Sequence, residues 1–375
     1  MRRLAFVLAL AFGGSAAAAS GQEATTEQRP QEPKPPFPYH SIEVRYANPT
    51  APGVTLAATL TVPPGQGKFP AALLIGGSGQ FPRDQPFFGH KMMLVLADYL
   101  TRRGIATLRF DDRGAGQSTL GETRIENLTT DDFVSDARAG IAFLRTRSEV
   151  DLRRIGIIGH SEGTRTAEII AATSPVDVGF IVLLAAASDR LSKGELVAAQ
   201  SEAMARLAGL SAEAQAADRE FVRGALVVTR GEPDAEQRLE KIAAIAEEAL
   251  TRVPAAERDA VEPGIRARVE ILASDNFHQD AVAERRDYLG EVRCPVLALN
   301  GDKDVLVSAE DNAPLLSSSL RGGGNRDATV RVMPGLNHMF QTAKTGAMEE
   351  AGEIGETFAP SALQLLGDWI TARTR

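Results

Sequence analysis

A serine lies at the centre of a glycine-flanked pentapeptide, Gly159-His160-Ser161-Glu162-Gly163, between an apolar run and a stretch with helical spacing. A serine in this setting can occupy a sharp strand-to-helix turn that projects its hydroxyl above a sheet. The two glycines lack the side chains that would collide in so tight a turn. The pattern predicts a nucleophile at Ser161, although an ordinary strand–turn–helix junction would also fit it.

A serine hydroxyl needs a base to become a nucleophile, and the chain has five histidines. His338 lies in a loop after a predicted strand near the C-terminus. In hydrolytic sites whose reacting residues follow the order serine, acid, histidine, the basic histidine is expected in such a loop. His160 adjoins Ser161, and we expect its ring to point away from the hydroxyl. We therefore predict His338 as the base, with a turn histidine bonded to its own loop as the alternative.

The base in turn needs an acid to orient it, and two aspartates follow a predicted buried strand at 295–299. Asp304 is preferred because the acid should lie beyond the turn and face the histidine loop. Asp302 is more simply interpreted as a solvated turn residue that bonds its own backbone. The order Ser161, Asp304, His338 is one that such hydrolytic sites use.

The oxyanion that forms during attack on a carbonyl needs N–H donors. One donor is predicted at the Glu162 N–H, at the start of the helix after the serine. The second is predicted at the Ser78 N–H, with Gly79 as the alternative, in the loop after the strand at 71–75. Gly77 and Gly79 allow a substrate to approach this backbone closely, so they are predicted to contact it.

Cofactor and metal chemistry find no support in the sequence. The phosphate-binding pattern G-x-x-x-x-G-K-[ST] and the metalloprotease pattern H-E-x-x-H are both absent, and the histidines are widely spaced. We therefore predict no cofactor and no metal. The net charge of −8 argues against a nucleic-acid partner, which would call for a basic face. The single cysteine, Cys294, is predicted to be a buried apolar residue.

Short apolar strands alternate with amphipathic helices through most of the chain, which predicts an α/β fold with a mainly parallel sheet covered on both faces. Alternating residues over 42–62, with a break at 48–53, predict an antiparallel N-terminal hairpin. The alternation stops over 188–289, which shows helical spacing and no convincing strand. We predict an inserted helical cap there, either a packed decoration or a lid over the site. The core is predicted to comprise residues 39–187 and 290–375.

The N-terminus has the order of an export signal. Arg2 and Arg3 precede an apolar stretch at 4–12 and small residues at 13–20, so residues 1–20 are predicted to be cleaved near 19–20. A membrane anchor is the alternative, but the apolar run is shorter than the roughly 20 residues that a span needs. The predicted mature protein is periplasmic or secreted, without stable membrane insertion. Residues 21–38 are polar and proline-rich and are interpreted as a linker.

Five motifs in order resemble those of bacterial α/β-hydrolases related to dienelactone hydrolases and S9-type peptidases, and among them a group of exported carboxylesterases. The resemblance covers roughly residues 41–373 apart from much of the predicted cap. The motifs are Gly76-Gly-Ser-Gly-Gln, Asp111-Asp-Arg-Gly-Ala-Gly-Gln-Ser-Thr, Gly159-His-Ser-Glu-Gly, Asn300-Gly-Asp-Lys-Asp and Pro334-Gly-Leu-Asn-His.

The resemblance implies an α/β-hydrolase fold, a small-molecule ester substrate with a short acyl chain, and Ser161, Asp304 and His338 as the reacting residues. The chain departs from the family at Thr164, where a second glycine is common, and at Val305 and Leu306, where the family is often more polar. Three alternatives stay open: an aminopeptidase or amidase of the same fold, a thioesterase or acyltransferase, and a binding module that has lost its chemistry.

Overall fold

The computed structural model describes residues 29–125 and 128–374, so the predicted signal segment lies outside the described residues. Within them the chain forms ten strands. In chain order these are β1 (His40–Ala47), β2 (Thr55–Val62), β3 (Phe69–Ile75), β4 (Pro86–Phe87), β5 (His90–Lys91), β6 (Ala106–Phe110), β7 (Val150–His160), β8 (Phe180–Leu184), β9 (Val296–Gly301) and β10 (Ala328–Met333).

Eight of these strands form one sheet in the order β1-β2-β6-β3-β7-β8-β9-β10. The hairpin β1–β2 is antiparallel and joins the sheet antiparallel to β6, whereas all the other pairs are parallel. Every residue of β6, β8 and β9 is buried, as expected for strands covered on both faces. The predicted mainly parallel α/β architecture with its N-terminal hairpin is confirmed.

Two apolar clusters fill the two faces of the sheet, and helices cover both. One face packs against α1 (Met92–Arg102) and α10 (Pro360–Thr374). The other packs against α2 (Thr130–Arg145), α3 (Glu162–Thr173) and α9 (Ala309–Gly322). The predicted alternation of strands with helices is confirmed, but no pattern in the sequence marks α9 or the two-residue strands β4 and β5.

Residues 189–286 and 305–308 form a compact unit of their own. Its helices are α4 (Lys193–Leu207), α5 (Ala212–Gly231), α6 (Ala235–Arg252), α7 (Arg258–Ala273) and α8 (Asp275–Val282). They enclose a separate apolar core around Phe221, Ile242 and Leu272. The predicted helical insertion is confirmed, while its action as a lid stays a prediction.

The first described residues are bound to the core. The Arg29 guanidinium donates to the carbonyl oxygens of Phe88, at 2.7 Å, and Ile354, at 3.0 Å. The Gln31 side chain donates to the Phe358 carbonyl at 2.7 Å and accepts from the Thr357 and Phe358 N–H groups at 2.6 and 2.9 Å. Residues 29–31 therefore belong to the folded body rather than to a free linker.

A buried ion pair ties the loop after β6 to α2. Arg113 is 1% exposed, and its guanidinium donates to both carboxylate oxygens of Asp136 at 2.6 and 2.8 Å. It also donates to the side chain and the carbonyl of Asp132 at 2.7 and 2.9 Å. Asn48, in the loop of the N-terminal hairpin, donates to Asp136 at 2.7 Å. This network gives Arg113 a structural role.

Arg113→Met is expected to lower the free energy of unfolding by about 3–5 kcal/mol, because it leaves the Asp136 carboxylate buried without its cation. Denaturant titration of both proteins measures the loss. Arg102→Met is the matched control, because Arg102 pairs with Asp98 at the surface with 47% of its side chain exposed. Such surface pairs contribute about 0–1 kcal/mol. Equal losses in the two variants would contradict the interpretation.

A buried ionisable group should make stability depend on pH. Glu168 of α3 is 1% exposed, and its Oε1 has no hydrogen-bond partner within the described part of the chain. Burial raises the pKa of its carboxyl to about 8, a tendency that Arg165 opposes. The folded state therefore holds this proton at pH values where the unfolded chain releases it. The contribution of Glu168 to stability is therefore expected to fall as the pH rises from about 4.5 to about 8.

Glu168→Gln should remove this contribution to the pH dependence, because the amide is neutral throughout that range. The stability of the variant relative to the wild type is expected to rise with pH by at most about 1.4 kcal/mol per unit. Urea titrations at pH 5 and pH 8 measure the difference. Parallel shifts of both proteins between the two pH values would show that Glu168 does not carry the effect.

Candidate active site

Ser161 occupies a strained turn between β7 and α3. Its backbone has φ 52° and ψ −121°, in a region that side-chain-bearing residues rarely adopt. A Cβ on Gly159 would lie 2.3 Å from the Gly163 carbonyl oxygen, and one on Gly163 would lie 2.4 Å from the Gly76 carbonyl oxygen. Both positions therefore require glycine, for the steric reason that the sequence analysis gives.

His338 and Asp304 lie in the loops that follow β10 and β9. Because these strands are parallel neighbours, both loops emerge at the same edge of the sheet. The His338 Nδ1–H donates to Asp304 Oδ2 at 2.8 Å, and both residues are buried. This bond leaves Nε2 of His338 as the nitrogen able to accept a proton. The ring centroid of His160, the chain neighbour of Ser161, lies 4.9 Å from that of His338.

The His338 loop is a tight turn held by the residues at its two ends. The Asn337 N–H donates to the Gln341 carbonyl at 3.0 Å. The Asn337 side chain accepts from the Met339 and Gln341 N–H groups at 3.1 and 2.9 Å. Phe340, within this turn, has φ 58°, a value that residues with side chains rarely adopt. The sequence predicts that His338 lies in a loop, but no motif in it marks the hydrogen bonds between Asn337 and Gln341.

Asp302 has a different partner from the one expected. It is exposed, as predicted, but its Oδ1 accepts from the Gly335 N–H at 2.6 Å instead of from its own turn. Gly335 begins the loop that carries His338. Asp302 therefore links the β9 and β10 loops from the solvent side, whereas Asp304 contacts His338 itself.

The glycine-rich loop after β3 lies against the serine. A Cβ on Gly77 would lie 3.2 Å from the Cβ of Ser161. Gly79 has φ +107°, which glycine adopts without strain. Ser78 lies between these two glycines, and Glu162 is the first residue of α3, where a helix leaves its N–H groups without intrahelical partners. The loop and the helix start thus flank Ser161, and the donor roles of Ser78 and Glu162 stay a prediction.

A cavity of about 20 Å³ lies beside this loop, with Gly77, Gly79, Phe133, Asp112 and Glu162 among its lining residues. That volume is enough for one water molecule or a small substituent of a substrate. Two of the lining residues, Asp112 and Glu162, are carboxylic acids.

Asp112 also shapes the glycine-rich loop from inside the protein. Its Oδ2 accepts from the Phe81 N–H at 2.9 Å, and its own N–H donates to the Phe81 carbonyl at 3.1 Å. Burial raises the pKa of this carboxyl to about 7, against the effect of the Phe81 N–H. These contacts with the loop give Asp112 a structural role.

His160 is 1% exposed and contacts the histidine loop as well as the glycine-rich loop. Its Nε2 lies 3.0 Å from the His338 carbonyl oxygen, and its Nδ1 lies 3.1 Å from Nε2 of Gln85. Burial lowers the pKa of this imidazole to about 3, so it is neutral at physiological pH. The sequence predicts that this ring points away from the Ser161 hydroxyl, but no motif in it marks the contacts with His338 and Gln85.

The described residues contain no group of three or more His, Cys, Asp or Glu side chains suited to hold a metal ion. Burial raises the pKa of the Cys294 thiol to about 12, which disfavours the reactive thiolate. In the part of the chain that the structure describes, no helix has both the length and the apolar character to cross a membrane.

Residues 91–343 match the family described as serine aminopeptidase, S33 (Hydrolase_4). This match extends over well more than half of the chain and includes Ser161, Asp304 and His338. The chain belongs to this family. The resemblance to α/β-hydrolases is thereby confirmed, and as a member of the S33 family the chain is one of the serine hydrolases.

Among curated proteins, a segment of 123 residues is 31% identical to esterase EstD of Thermotoga maritima. The segment covers 32% of this chain and only 28% of that relative's length. Among solved structures, the α/β-hydrolase GrgF from Penicillium sp. sh18 aligns with a TM-score of 0.51 at 15% identity, over 90% of this chain and 99% of that one. At that identity the alignment supports the fold alone.

An esterase of Pyrococcus furiosus aligns with a TM-score of 0.49 at 14% identity, over 90% of this chain and 92% of that one. The dienelactone hydrolase of Anabaena variabilis aligns at 0.47 and 15% identity, over 90% of this chain and the whole of that one.

Proposed function

We propose that the protein is a carboxylesterase that cleaves short-chain acyl esters with Ser161 as nucleophile, His338 as base and Asp304 as the orienting acid. The observation that carries the proposal is the buried 2.8 Å bond from His338 Nδ1 to Asp304, in a loop next to the strained serine turn. This bond fixes the tautomer of His338, which would act as the base for the hydroxyl of Ser161.

In the proposed reaction the Ser161 Oγ attacks the ester carbonyl carbon while Nε2 of His338 takes the hydroxyl proton. The tetrahedral oxyanion is stabilised by the backbone N–H groups of Ser78 and Glu162. His338 then gives its proton to the leaving alcohol, and the C–O bond of the ester breaks. Asp304 holds the imidazole in place and stabilises its cation.

The acyl-enzyme is then hydrolysed by the reverse sequence of proton transfers. Water attacks the acyl carbon while His338 takes its proton, and the second tetrahedral intermediate releases the acid as Ser161 recovers its hydrogen. Every group in this scheme belongs to the chain or to the substrate, so the proposed reaction uses neither metal nor cofactor.

Ester rather than amide substrates are proposed because the curated relative with a significant match is named an esterase and because the motifs resemble those of carboxylesterases. One observation favours aminopeptidase activity as the second candidate. Asp112 and Glu162 are among the residues that line the cavity beside the glycine-rich loop, and a carboxylate there would bind the free amine of a peptide. The family description itself names aminopeptidases.

Two measurements on the purified wild type test the proposal, and the first of them separates the two candidates. The first is hydrolysis of p-nitrophenyl esters of increasing acyl length beside a panel of aminoacyl p-nitroanilides. The second is reaction with a fluorophosphonate, which transfers its phosphonyl group to an activated serine with loss of fluoride, followed by peptide mapping. We expect turnover of acetyl and butyryl esters and a single adduct on Ser161. Turnover of the anilides alone would favour the peptidase, and labelling elsewhere would overturn the assignment of the nucleophile.

Export to the periplasm or the medium is also proposed, from the basic, apolar and small-residue order of residues 1–20. Mass spectrometry of the protein expressed with its full N-terminus tests this. A mature chain that begins near residue 20 supports export, and a chain that retains residues 1–20 contradicts it.

A further inference from the structure

His160 sits between two loops of the proposed site and has one hydrogen-bonding contact with each. Nε2 faces a backbone carbonyl oxygen, that of His338, at 3.0 Å. A carbonyl only accepts, so Nε2 must carry the hydrogen. A neutral imidazole then has its lone pair on Nδ1, which must receive a donor. The Gln85 Nε2 amide, 3.1 Å away, is such a donor.

The orientation of the Gln85 amide follows from the same requirement. With its oxygen towards His160 instead, the amide would call for a hydrogen on Nδ1. The neutral ring would then turn a lone pair towards the His338 carbonyl, and that contact would become repulsive. In the orientation described, the Gln85 Oε1 has no hydrogen-bond partner among the described residues. The Gln85 Oε1 is thus a buried acceptor without a hydrogen bond in the described part of the chain, while the Gln85 amide nitrogen donates to His160.

The backbone of Gln85 is also in an uncommon conformation. Its φ is 49°, a left-handed value that a glutamine rarely adopts, and its N–H donates to the Pro82 carbonyl at 2.8 Å. The side chain is 6% exposed, and a Cβ on Gly77 would lie 3.3 Å from its Nε2. Strained backbone persists where the surroundings fix it, and here it places the amide between the glycine-rich loop and His160.

We propose that Gln85 and His160 are positioning residues for the base. Gln85 selects the Nε2–H tautomer of His160, and His160 donates that hydrogen to the His338 carbonyl. This bond keeps the His338 ring in position between Asp304 and Ser161. The inference rests on the proposed function, because it assigns a role in the reaction that His338 would catalyse. It differs from a packing role, which any side chain of similar volume would fill.

Two substitutions at position 160 separate hydrogen bonding from packing. In His160→Gln the amide nitrogen can occupy the position of Nε2 and still donate to the His338 carbonyl. In His160→Asn the shorter amide reaches only the Nδ1 position, so that donor is lost. We expect His160→Asn to lower kcat for the best ester by roughly 10- to 100-fold and His160→Gln by roughly 5-fold or less, with KM in both within about 3-fold of the wild type.

Fluorophosphonate titration gives the concentration of active serine in each variant, and the thermal midpoint shows whether the variant is folded. The values of kcat are then compared per active site. Equal losses of kcat in the two folded variants would overturn the proposal, as would a change confined to KM.

Substitutions at Gln85 test the selection of the tautomer. Gln85→Met removes the amide at similar volume, and Gln85→Glu replaces the donor by an acceptor. Gln80→Met is the matched control, because Gln80 lies in the same loop and donates from its amide to the Arg113 carbonyl at 3.1 Å. We expect kcat to fall in the order Gln80→Met (unchanged), Gln85→Met, Gln85→Glu. A Gln85→Glu variant as active as the wild type would contradict the role of the amide.

The tautomer itself can be observed without any substrate. Long-range ¹H–¹⁵N spectra of the ¹⁵N-histidine-labelled protein at neutral pH should show His160 with its hydrogen on Nε2, assigned by its absence from His160→Gln. Gln85→Glu should move the hydrogen to Nδ1 or add a second one. A wild-type His160 with its hydrogen on Nδ1 would overturn the proposal. Since this spectrum is independent of turnover, an inactive wild type would overturn the proposed function while the tautomer is still decided.

Discussion

Ser161→Ala is expected to lower kcat for p-nitrophenyl esters by about a million-fold. The residual rate would be the one that the oxyanion donors and substrate binding support without the nucleophile. The proposed reaction begins with attack by the Ser161 Oγ, and alanine has no atom to replace it. The fold should survive, because alanine keeps the Cβ and removes only one oxygen. Stopped assays with a large excess of variant over contaminating hydrolases measure the residual rate.

Ser174→Ala is the matched control. Ser174 is the residue that ends α3, the helix that begins after Ser161, so the same atom is removed at the other end of the same element. Its kcat is expected to equal that of the wild type. A Ser161→Ala variant with more than about a thousandth of the wild-type rate would show that another residue attacks the ester.

Asp304→Asn is expected to lower kcat by about ten-thousand-fold while leaving the structure of the loop nearly unchanged. The asparagine can turn its NH₂ group towards His338. The imidazole would then accept at Nδ1 and carry its hydrogen on Nε2, the nitrogen that must take the serine proton. The loss should appear in kcat at every acyl length, since the defect lies in the base and not in substrate contacts.

Asp302→Asn distinguishes the two aspartates of this segment. Asp302 accepts from the Gly335 N–H, and the oxygen of an asparagine can accept that bond equally well. We expect its kcat to remain within a few-fold of the wild-type value. A reversed result, with the larger loss at position 302, would assign the acid to Asp302 and contradict the role proposed for the buried contact of Asp304.

The parts of the site that sequence reasoning predicts are those fixed by local sterics or by strand order. Gly159 and Gly163 are recognisable because only glycine fits beside a serine turn. His338 and Asp304 are recognisable because each follows a predicted strand in the required order. The fold class follows from the apolar runs of the strands, whose continuity indicates burial on both faces.

The remaining features depend on contacts between side chains far apart in the chain. Gln85 meets His160 across 75 positions, and no periodicity or motif marks that pair. The second role of Asp302, bonding the neighbouring loop, depends on where that loop lies. Helix α9 was not identified, and Pro314 within it interrupts the usual helical pattern.

The attachment of Gln31 to Thr357 and Phe358 has a consequence for the order of folding. The bonded residues are separated by as many as 327 positions, so these bonds of Gln31 cannot form until residues 357 and 358 have been made. At about 5–20 residues per second, that interval lasts roughly 15 to 65 seconds during translation. For that period Gln31 lacks these partners, and the segment around it is more accessible to proteases and chaperones than it is in the folded protein.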